Sequence, residues 1–557
     1  MGRGGLYREI LRARDARALI GASAVSQLGD WLYNAVLLGY VYAATGSAGW
    51  VGAATIFRLL PYVLLIPVGG MLADRYDKRT VLLLGDTVRC VLMLGLAVVV
   101  GWEGPVVLVI ALTMLSTAAG SAERPAAMAL LPRLVGESRL GPANALLHTV
   151  QEIGVVLGPA IGAALLLVAP DYAAFLVNAG SFAFSAGLIS GIRRGAGRGA
   201  ATDARGAGQQ FRHGLRTAWS TRFVMPLILV VAAAELVYGA QTVQLVVYAD
   251  EELGLGAAGY GWLLAASGVG GVLSAVVNGR LAASTRVSVI VISTAALYCA
   301  TQLVYAATDV FALALLVTVV GGAGFVACEV VGETALARVV PEDVLGRVLG
   351  VMAGVSVAML LAGAALAPVL INVASLATSL VVLGVAPLVV VFASRAALAG
   401  LDALSRERAE SLAWRVAVIE KLPVVTGVPR LALEQLARAS QIVPVPAGVD
   451  VVVEGAPAHA FYAVLDGRVV VHHEGTAIAH VGAGDYFGER GLLDESPRNA
   501  TVTTEAQSSL LRVEGDVFLD VLQTAPTLQS ALTRVSRSRR GFGSREALVD
   551  DPVSAQA

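Results

Sequence analysis

Cysteine is nearly missing from this chain: there are 3 in 557 residues. Cys90, Cys299 and Cys328 each fall inside an apolar run, which excludes a disulfide framework and a thiolate metal site. Histidine is almost as scarce, at 6. Adjacent His472 and His473 fall in an expected strand and would point to opposite faces, so no metal set is expected. Charge is thin as well: Asp, Glu, Lys and Arg make up 15% of the chain, against about 25% in ordinary soluble domains. The two signs nearly cancel, at a net −1, and give no handle for nucleic acid. No glycine-rich turn carries the Lys-Ser/Thr pattern of a phosphate loop, which leaves ATP-driven pumping without support. No catalytic constellation is visible, and an enzyme is not expected. The basic start "MGRGGLYREILRARDARALIG" lacks a small-residue cleavage site, so its first helix is expected to stay.

What is abundant is apolar surface, 56% of residues. A hydrocarbon core about 30 Å thick needs about 20 apolar residues per helix. The sequence divides into twelve such runs, at 18–44, 49–72, 80–101, 105–130, 143–168, 172–192, 224–248, 259–282, 287–307, 310–335, 347–371 and 376–395. Arginine and lysine crowd every second connection: Arg75, Lys78 and Arg79; Arg133 and Arg139; Arg193 to Arg222; Arg280 and Arg286; Arg338 and Arg347. The alternate connections, such as "TGSAGW", "GWEGP" and "APDYA", have none. Basic loops stay inside, so a multi-pass protein of the cytoplasmic (inner) membrane with both termini cytoplasmic is expected, in contact with membrane lipid.

The connection 193–222 splits the runs six plus six. Setting "ARALIGASAVSQLGDWLYNA" over "TRFVMPLILVVAAAELVYGA" aligns Arg17 with Arg222, Asp30 with Glu235 and Tyr33 with Tyr238. The pattern is that of a repeated six-helix unit, a transporter architecture. The expected fold is therefore an all-α polytopic membrane domain with a 6+6 pseudo-repeat over residues 1–396. A helical linker at 397–421, a small cytoplasmic β-roll at 422–540 and a flexible tail at 541–557 follow.

"GGMLADRYDKR" (Gly69 to Arg79) resembles the loop signature between the second and third helices of the major facilitator superfamily. "GVVLGPAIG" (Gly154 to Gly162) is similar to the fifth-helix pattern of its proton-coupled exporters. The resemblance covers 18–396 and points to the exporter branch that includes macrolide, siderophore and lysophospholipid carriers. It implies a conformational latch at Gly70, Asp74, Arg75 and Arg79. A carboxylate there would accept from helix-end N–H groups or an arginine until rocking breaks the contact. Ala283 stands at the Asp74 position of the second half, where that copy of the latch is weak or absent. Gly154, Gly158 and Gly162, with Pro159 beside them, present a small face for close helix approach.

Ionisable groups at membrane depth are costly and usually functional. Asp30 and Glu235 sit near the midplane of matching runs and are expected to face one central cavity, there to load and release the coupling proton. Arg58 is the expected partner of Asp30. Gln27, Asn34, Gln241 and Gln244 are candidate substrate contacts or helix bridges. Asp86 and Arg89, three apart, are expected to pair with each other.

After Arg395 the greasy pattern ends. Short β-prone segments divided by glycine turns, "QIVPVPAGVDVVVEG", "AFYAVLDGRVVVHHEG", "AIAHVGAGDYFGE" and "NATVTTEAQSSLLRV", read as a roll closed by helices. "YFGERGLLDESPRNATV" (Tyr486 to Val502) resembles the phosphate-binding cassette of cyclic nucleotide-binding domains. The resemblance implies that Gly488, Glu489, Arg490, Gly491, Leu492, Arg498, Asn499 and Ala500 form the site. Arg498 would hold the phosphate and Glu489 the ribose 2′-OH, with cAMP favoured over cGMP. Arg490 and Asn499 depart from the usual cassette, and no base-capping residue is recognisable, which leaves the nucleotide open.

Together these features point to a proton-coupled exporter of a hydrophobic or amphipathic small molecule under cyclic nucleotide control. A nucleotide-sensing membrane receptor without transport, or a lysophospholipid transporter or flippase, are the alternatives. A cyclic-nucleotide-gated channel is disfavoured, since the chain has no serial arginines in one span and no TVGYG filter.

Overall fold

The computed structural model describes residues 10–136, 139–193, 221–340, 342–420, 430–494 and 496–524. They fall into two compact units, Met1–Asp402 and Ala403–Ala557. The tail 541–557 and most of the connection 193–222 lie outside the described residues.

The first unit is all-helical: α1 Arg14–Thr45, α2 Ala48–Arg75, α3 Lys78–Gly101, α4 Val106–Gly120, α5 Glu123–Val135, α6 Leu140–Leu166, α7 Tyr172–Ser190, α8 Val224–Glu251, α9 Gly256–Ala283, α10 Val287–Tyr305, α11 Phe311–Val339, α12 Glu342–Val373 and α13 Leu376–Ala397. Local chemistry sets several boundaries. Gly46 takes φ +57 to end α1, its N–H returning to the Tyr42 carbonyl. Asp77 caps α3 by accepting from Arg79 N at 3.3 Å, and Ser375 caps α13 through Thr378 N at 3.1 Å.

Helix α3 shows what solvent the unit is built for. One face exposes Leu84, Val88, Val91 and Val98, while the other buries Asp86, Arg89, Met93 and Leu96. Apolar outside and charged inside is the pattern of a helix facing lipid. Ten spans among the described residues are long and apolar enough to cross a membrane, where twelve were expected. The fourth of the twelve expected runs is one span built from two helices, since α4 and α5 together cover Val106–Val135. Outside the ten stand α1 and α2, continuous helices of 32 and 28 residues. The hydropathy of α1 is diluted by Gln27, Asp30, Tyr33, Asn34, Tyr40 and Tyr42.

Similar helix pairs recur along the chain. Helix α1 packs on α6 and α8 on α12; α3 packs on α7 and α10 on α13; α6 meets α9, and α2 meets α12.

The second unit holds most of α14 (Leu401–Glu420), then α15 (Arg430–Ala439) and eight strands: β1 Ser440–Val445, β2 Asp450–Val452, β3 Ala460–Asp466, β4 Arg468–His473, β5 Thr476–Gly482, β6 Tyr486–Phe487, β7 Thr501–Thr504 and β8 Ser508–Glu514. A short α16 (Glu489–Leu493) lies between β6 and β7, and α17 (Gly515–Thr524) follows β8. The strands form two four-stranded sheets, ordered β1-β8-β3-β6 and β2-β7-β4-β5, and every pairing is antiparallel. Val452, Val464, Val469, Val502 and Leu510 fill the space between the sheets. A second core places Val416, Ile419, Leu433 and Leu436 against Phe461, Leu511 and Phe518. Within it Phe461 stacks on Phe518 at 4.6 Å.

Candidate functional sites

In the helical unit the charges form one cluster. Arg89, on α3, donates from Nη2 to Asp30 of α1 at 2.5 Å and from Nη1 to Glu123 of α5 at 2.6 Å. Its guanidinium lies 4.0 Å from the centre of the Phe182 ring. Asn178 Nδ2 reaches Asp30 Oδ1 at 3.5 Å. Glu123 takes its position from the break between α4 and α5: it is the first residue after Ala122 where the chain resumes as helix.

Two expectations are corrected. The partner of Asp30 is Arg89 rather than Arg58, because α3 brings its arginine between α1 and α5. Asp86 and Arg89 do not pair with each other either: Asp86 accepts from Ser185 Oγ at 2.6 Å, across to α7, and Arg89 is taken up by its two carboxylates.

A cavity of about 410 Å³ lies against this cluster, lined by Gln27, Asp30, Asn34, Arg58, Arg89 and Glu123 together with Trp31, Arg124, His148 and Gln151 among others. All its lining residues come from α1 to α6. Glu235 is not among them; it is buried on α8, where Glu329 is its charged neighbour. Among the described residues Glu235 thus does not line the cavity that holds Asp30, and burial of α8 sets it in helix packing instead. Gln241 is drawn into that packing too: it accepts from Tyr298 Oη at 2.9 Å, and Gln244 accepts from Gln302 Nε2 at 2.6 Å while donating to Ser379 Oγ at 2.9 Å. These glutamines bridge α8, α10 and α13.

The glycines of α6 face α1. A Cβ added at Gly154 would lie 3.3 Å from the Gln27 carbonyl carbon, at Gly158 2.9 Å from Leu28 O, and at Gly162 2.8 Å from Leu32 O. Pro159 is buried beside them. In the latch segment the side chain of Asp74 lies outside the described residues. Arg79 caps the end of α7, donating from Nε to Ile189 O at 3.3 Å and from Nη2 to Ser190 O at 2.5 Å. Arg75 lies over the Tyr76 ring at 5.9 Å. Nothing stands within 4 Å of a Cβ at Gly70, whereas one at Gly69 would meet the Ser121 carbonyl carbon at 2.8 Å. The tight approach thus belongs to Gly69, the neighbouring glycine of the loop signature, rather than to Gly70.

In the roll, Gly488 adopts φ +88 immediately before α16, a conformation L side chains avoid. Glu489 and Arg498 are buried, at 3% and 7% exposure. The Arg498 guanidinium donates from Nη1 to Gly488 O at 2.7 Å and from Nη2 to Ala460 O at 2.6 Å. Burial holds its pKa below the usual arginine value. Gly491 is fixed by crowding: a Cβ there would sit 2.8 Å from Ala458 Cβ. Leu492 and Ala500 are buried, Arg490 is half-buried and Asn499 is exposed. A hollow of about 400 Å³ adjoins the cassette, lined in part by Gly455, Ala458, Gly491 and Pro497.

A bundle of lipid-facing helices with buried charges beside a cavity defines a multi-pass carrier domain, and the glycine-opened short helix with a buried arginine defines a nucleotide-sensing type of roll. The chain belongs to the transmembrane secretion effector family of the major facilitator superfamily, whose family model matches residues 10–421, and it carries a cyclic nucleotide-binding domain matched at residues 442–525. Among relatives, an uncharacterised major-facilitator-type transporter of Bacillus subtilis, YfiS, is 26% identical over 47% of this chain and 63% of its own length. The putative bacilysin exporter BacE of Bacillus amyloliquefaciens is 28% identical over 40% of this chain and 56% of its own. A regulatory subunit of cAMP-dependent protein kinase from Emericella nidulans is 31% identical over 19% of this chain and 26% of its own. The chain thus spans less than two thirds of each of these relatives.

Proposed function

We propose that this chain is a secondary active transporter of the cytoplasmic membrane, with both termini cytoplasmic. In this reading it expels a hydrophobic or amphipathic small molecule in exchange for protons. A cyclic nucleotide, cAMP favoured over cGMP, binds the roll and regulates it. The observation that carries the reading is the Asp30–Arg89–Glu123 cluster on the wall of a cavity inside a lipid-facing bundle, since ionisable groups kept at membrane depth mark substrate and proton pathways. The likeness to a relative described as an exporter supports the outward direction.

Asp30 is the proton carrier in this scheme. Protonating it releases one arm of Arg89, and the freed guanidinium loosens α3 from α1. Glu235 serves the second half, with Gln241 holding the helices around it. Gly70, Asp74, Arg75 and Arg79 latch one conformation, and the flat face of Gly154, Gly158 and Gly162 lets α6 and α1 move as one body. In the roll, Arg498 takes the cyclic phosphate and Glu489 the ribose hydroxyl, with Gly488 and Gly491 keeping the cassette open. A nucleotide that prefers one transporter conformation biases the cycle by roughly 1–3 kcal/mol, through the segment that joins the two units.

The test is flux in proteoliposomes under an imposed pH gradient, with a panel of hydrophobic compounds, with and without cAMP or cGMP, for wild type, Asp30→Asn and Arg498→Ala. Flux that needs the gradient and fails in Asp30→Asn is expected; flux indifferent to both removes proton coupling. Active protein that ignores both nucleotides removes the regulation, and nucleotide binding with no flux of any compound favours a sensing receptor.

A further inference from the structure

We infer that the cavity between α1 and α6 receives an anionic acid group on its ligand and that Arg58 is the residue that takes it. The inference rests on the transport reading, because it names the substrate class of the same cavity.

Five charged side chains line the cavity: Asp30, Glu123, Arg58, Arg89 and Arg124. Arg89 occupies both carboxylates with its two amines. Arg124 is exposed at the start of α5. That leaves Arg58, half-buried on α2, which takes part in none of the ion pairs or hydrogen bonds of the described residues. Its Nε is closed off from solvent with no partner.

Arg58 stands ten residues into α2, about 15 Å along the helix at 1.5 Å per residue, which is half the depth of a hydrocarbon core. Among the groups that feel its charge are the phenols of Tyr33, Tyr238 and Tyr260, on α1, α8 and α9. All three are neutral at physiological pH, and among the described residues no carboxylate forms an ion pair with the guanidinium, the nearby Asp30 being held by Arg89. A cation kept at that depth without a counter-ion is expensive, and an arriving anion relieves the expense. The fork of a guanidinium suits the paired oxygens of a carboxylate, phosphate or sulfonate. Asn34 adds a second unspent group: it is 6% exposed, lines the same cavity, and its Oδ1 has no partner. Trp31, Leu59, Met128 and Val155 supply apolar wall for the rest of the molecule. The ligand class is therefore an amphipathic acid: an apolar body with one anionic group, and preferably a hydrogen-bond donor near it.

The experiment uses the full chain in lipid nanodiscs and three probes with one apolar body: 4-(1-pyrenyl)butyrate, the matching butanamide and the matching butylamine. Fluorescence anisotropy gives Kd. Wild type is expected to bind the butyrate about tenfold or more tightly than the amide, the worth of one charge-assisted pair. Arg58→Gln should erase that preference, and Arg58→Lys should restore part of it. Equal binding of butyrate and amide by wild type, tighter binding of the amine, or an undiminished preference in Arg58→Gln overturns the inference. The wild-type comparison decides by itself if Arg58→Gln fails to fold. Amide flux in proteoliposomes keeps the two readings apart. Carboxylate preference without flux of any probe sinks transport and leaves the anion site, whereas flux without carboxylate preference sinks the anion site and leaves transport.

Discussion

Arg89 and Asp30 meet at 2.5 Å across the interface of α3 and α1, 59 residues apart in sequence, with side chains 8% and 22% exposed. The same guanidinium holds Glu123, so one cation answers for two carboxylates. Removing it strands both acids, and breaking one side of a buried pair costs about 3–5 kcal/mol. Arg89→Ala should therefore lower the melting temperature of the detergent-purified protein sharply. Arg89→Ala combined with Asp30→Asn and Glu123→Gln should recover most of the loss. No recovery in the triple variant would mean that Arg89 stabilises through its stacking on Phe182 instead.

The glycines of α6 offer a steric test. At Gly158 a Cβ would meet Leu28 O and Leu32 N, each at 2.9 Å, so Gly158→Ala forces α6 away from α1. We expect a loss of stability of about 1–3 kcal/mol, typical of overpacking, and a larger loss of flux. Gly180 on α7 has nothing within 4 Å of a Cβ. There the same change should gain about 0.5–1 kcal/mol, as alanine does over glycine in a helix. Parallel thermal melts of the two variants check the contrast.

In the roll, Arg498→Ala should weaken cAMP binding about 10-fold to 100-fold, the range of a lost charge-assisted contact, measured by titration calorimetry on the full chain. Arg498→Lys keeps the charge but lacks the two-pronged reach to Gly488 and Ala460, and should restore only part. Unchanged affinity in both would remove Arg498 from the site.

Gly488→Val tests the turn. At φ +88 a β-branched residue is strained by about 1–2 kcal/mol, and its Cβ would press on Arg498 Nη1 at 2.9 Å. Nucleotide affinity and the stability of the roll should fall together, whereas Asn499→Ala, at an exposed position, should move stability by less than about 0.5 kcal/mol.

The helices and the cassette were legible because their signals are local. Apolar run length gives spans, glycine turns bound the strands, and the spacing of Gly488, Glu489 and Arg498 marks the cassette. The partners of the buried charges were not legible, because they depend on which helices touch. The three-residue spacing of Asp86 and Arg89 suggested a pair on one helix, yet packing of α3 against α7 and α1 offered each a better partner on another helix. Glu123 sat in view in "SAERP", but nothing in sequence says that the chain breaks at Ser121 and Ala122 and resumes beside Arg89. Depth alone suggests Gln241 and Glu235 as cavity groups. Depth does not tell which side of a helix its neighbours cover, and α8 is covered on most sides.

If Arg498 takes the cyclic phosphate as proposed, nucleotide arrival is an exchange rather than an addition. Its two amines already serve the carbonyls of Gly488 and Ala460, so a phosphate that claims the guanidinium hands two acceptors back to the backbone, one at the mouth of α16 and one at the first residue of β3. Occupancy is thereby recorded in main-chain groups at two separate points of the roll. In that proposed exchange the side chain serves first as a brace and then as a ligand contact, which amide hydrogen exchange at Gly488 and Ala460 would register.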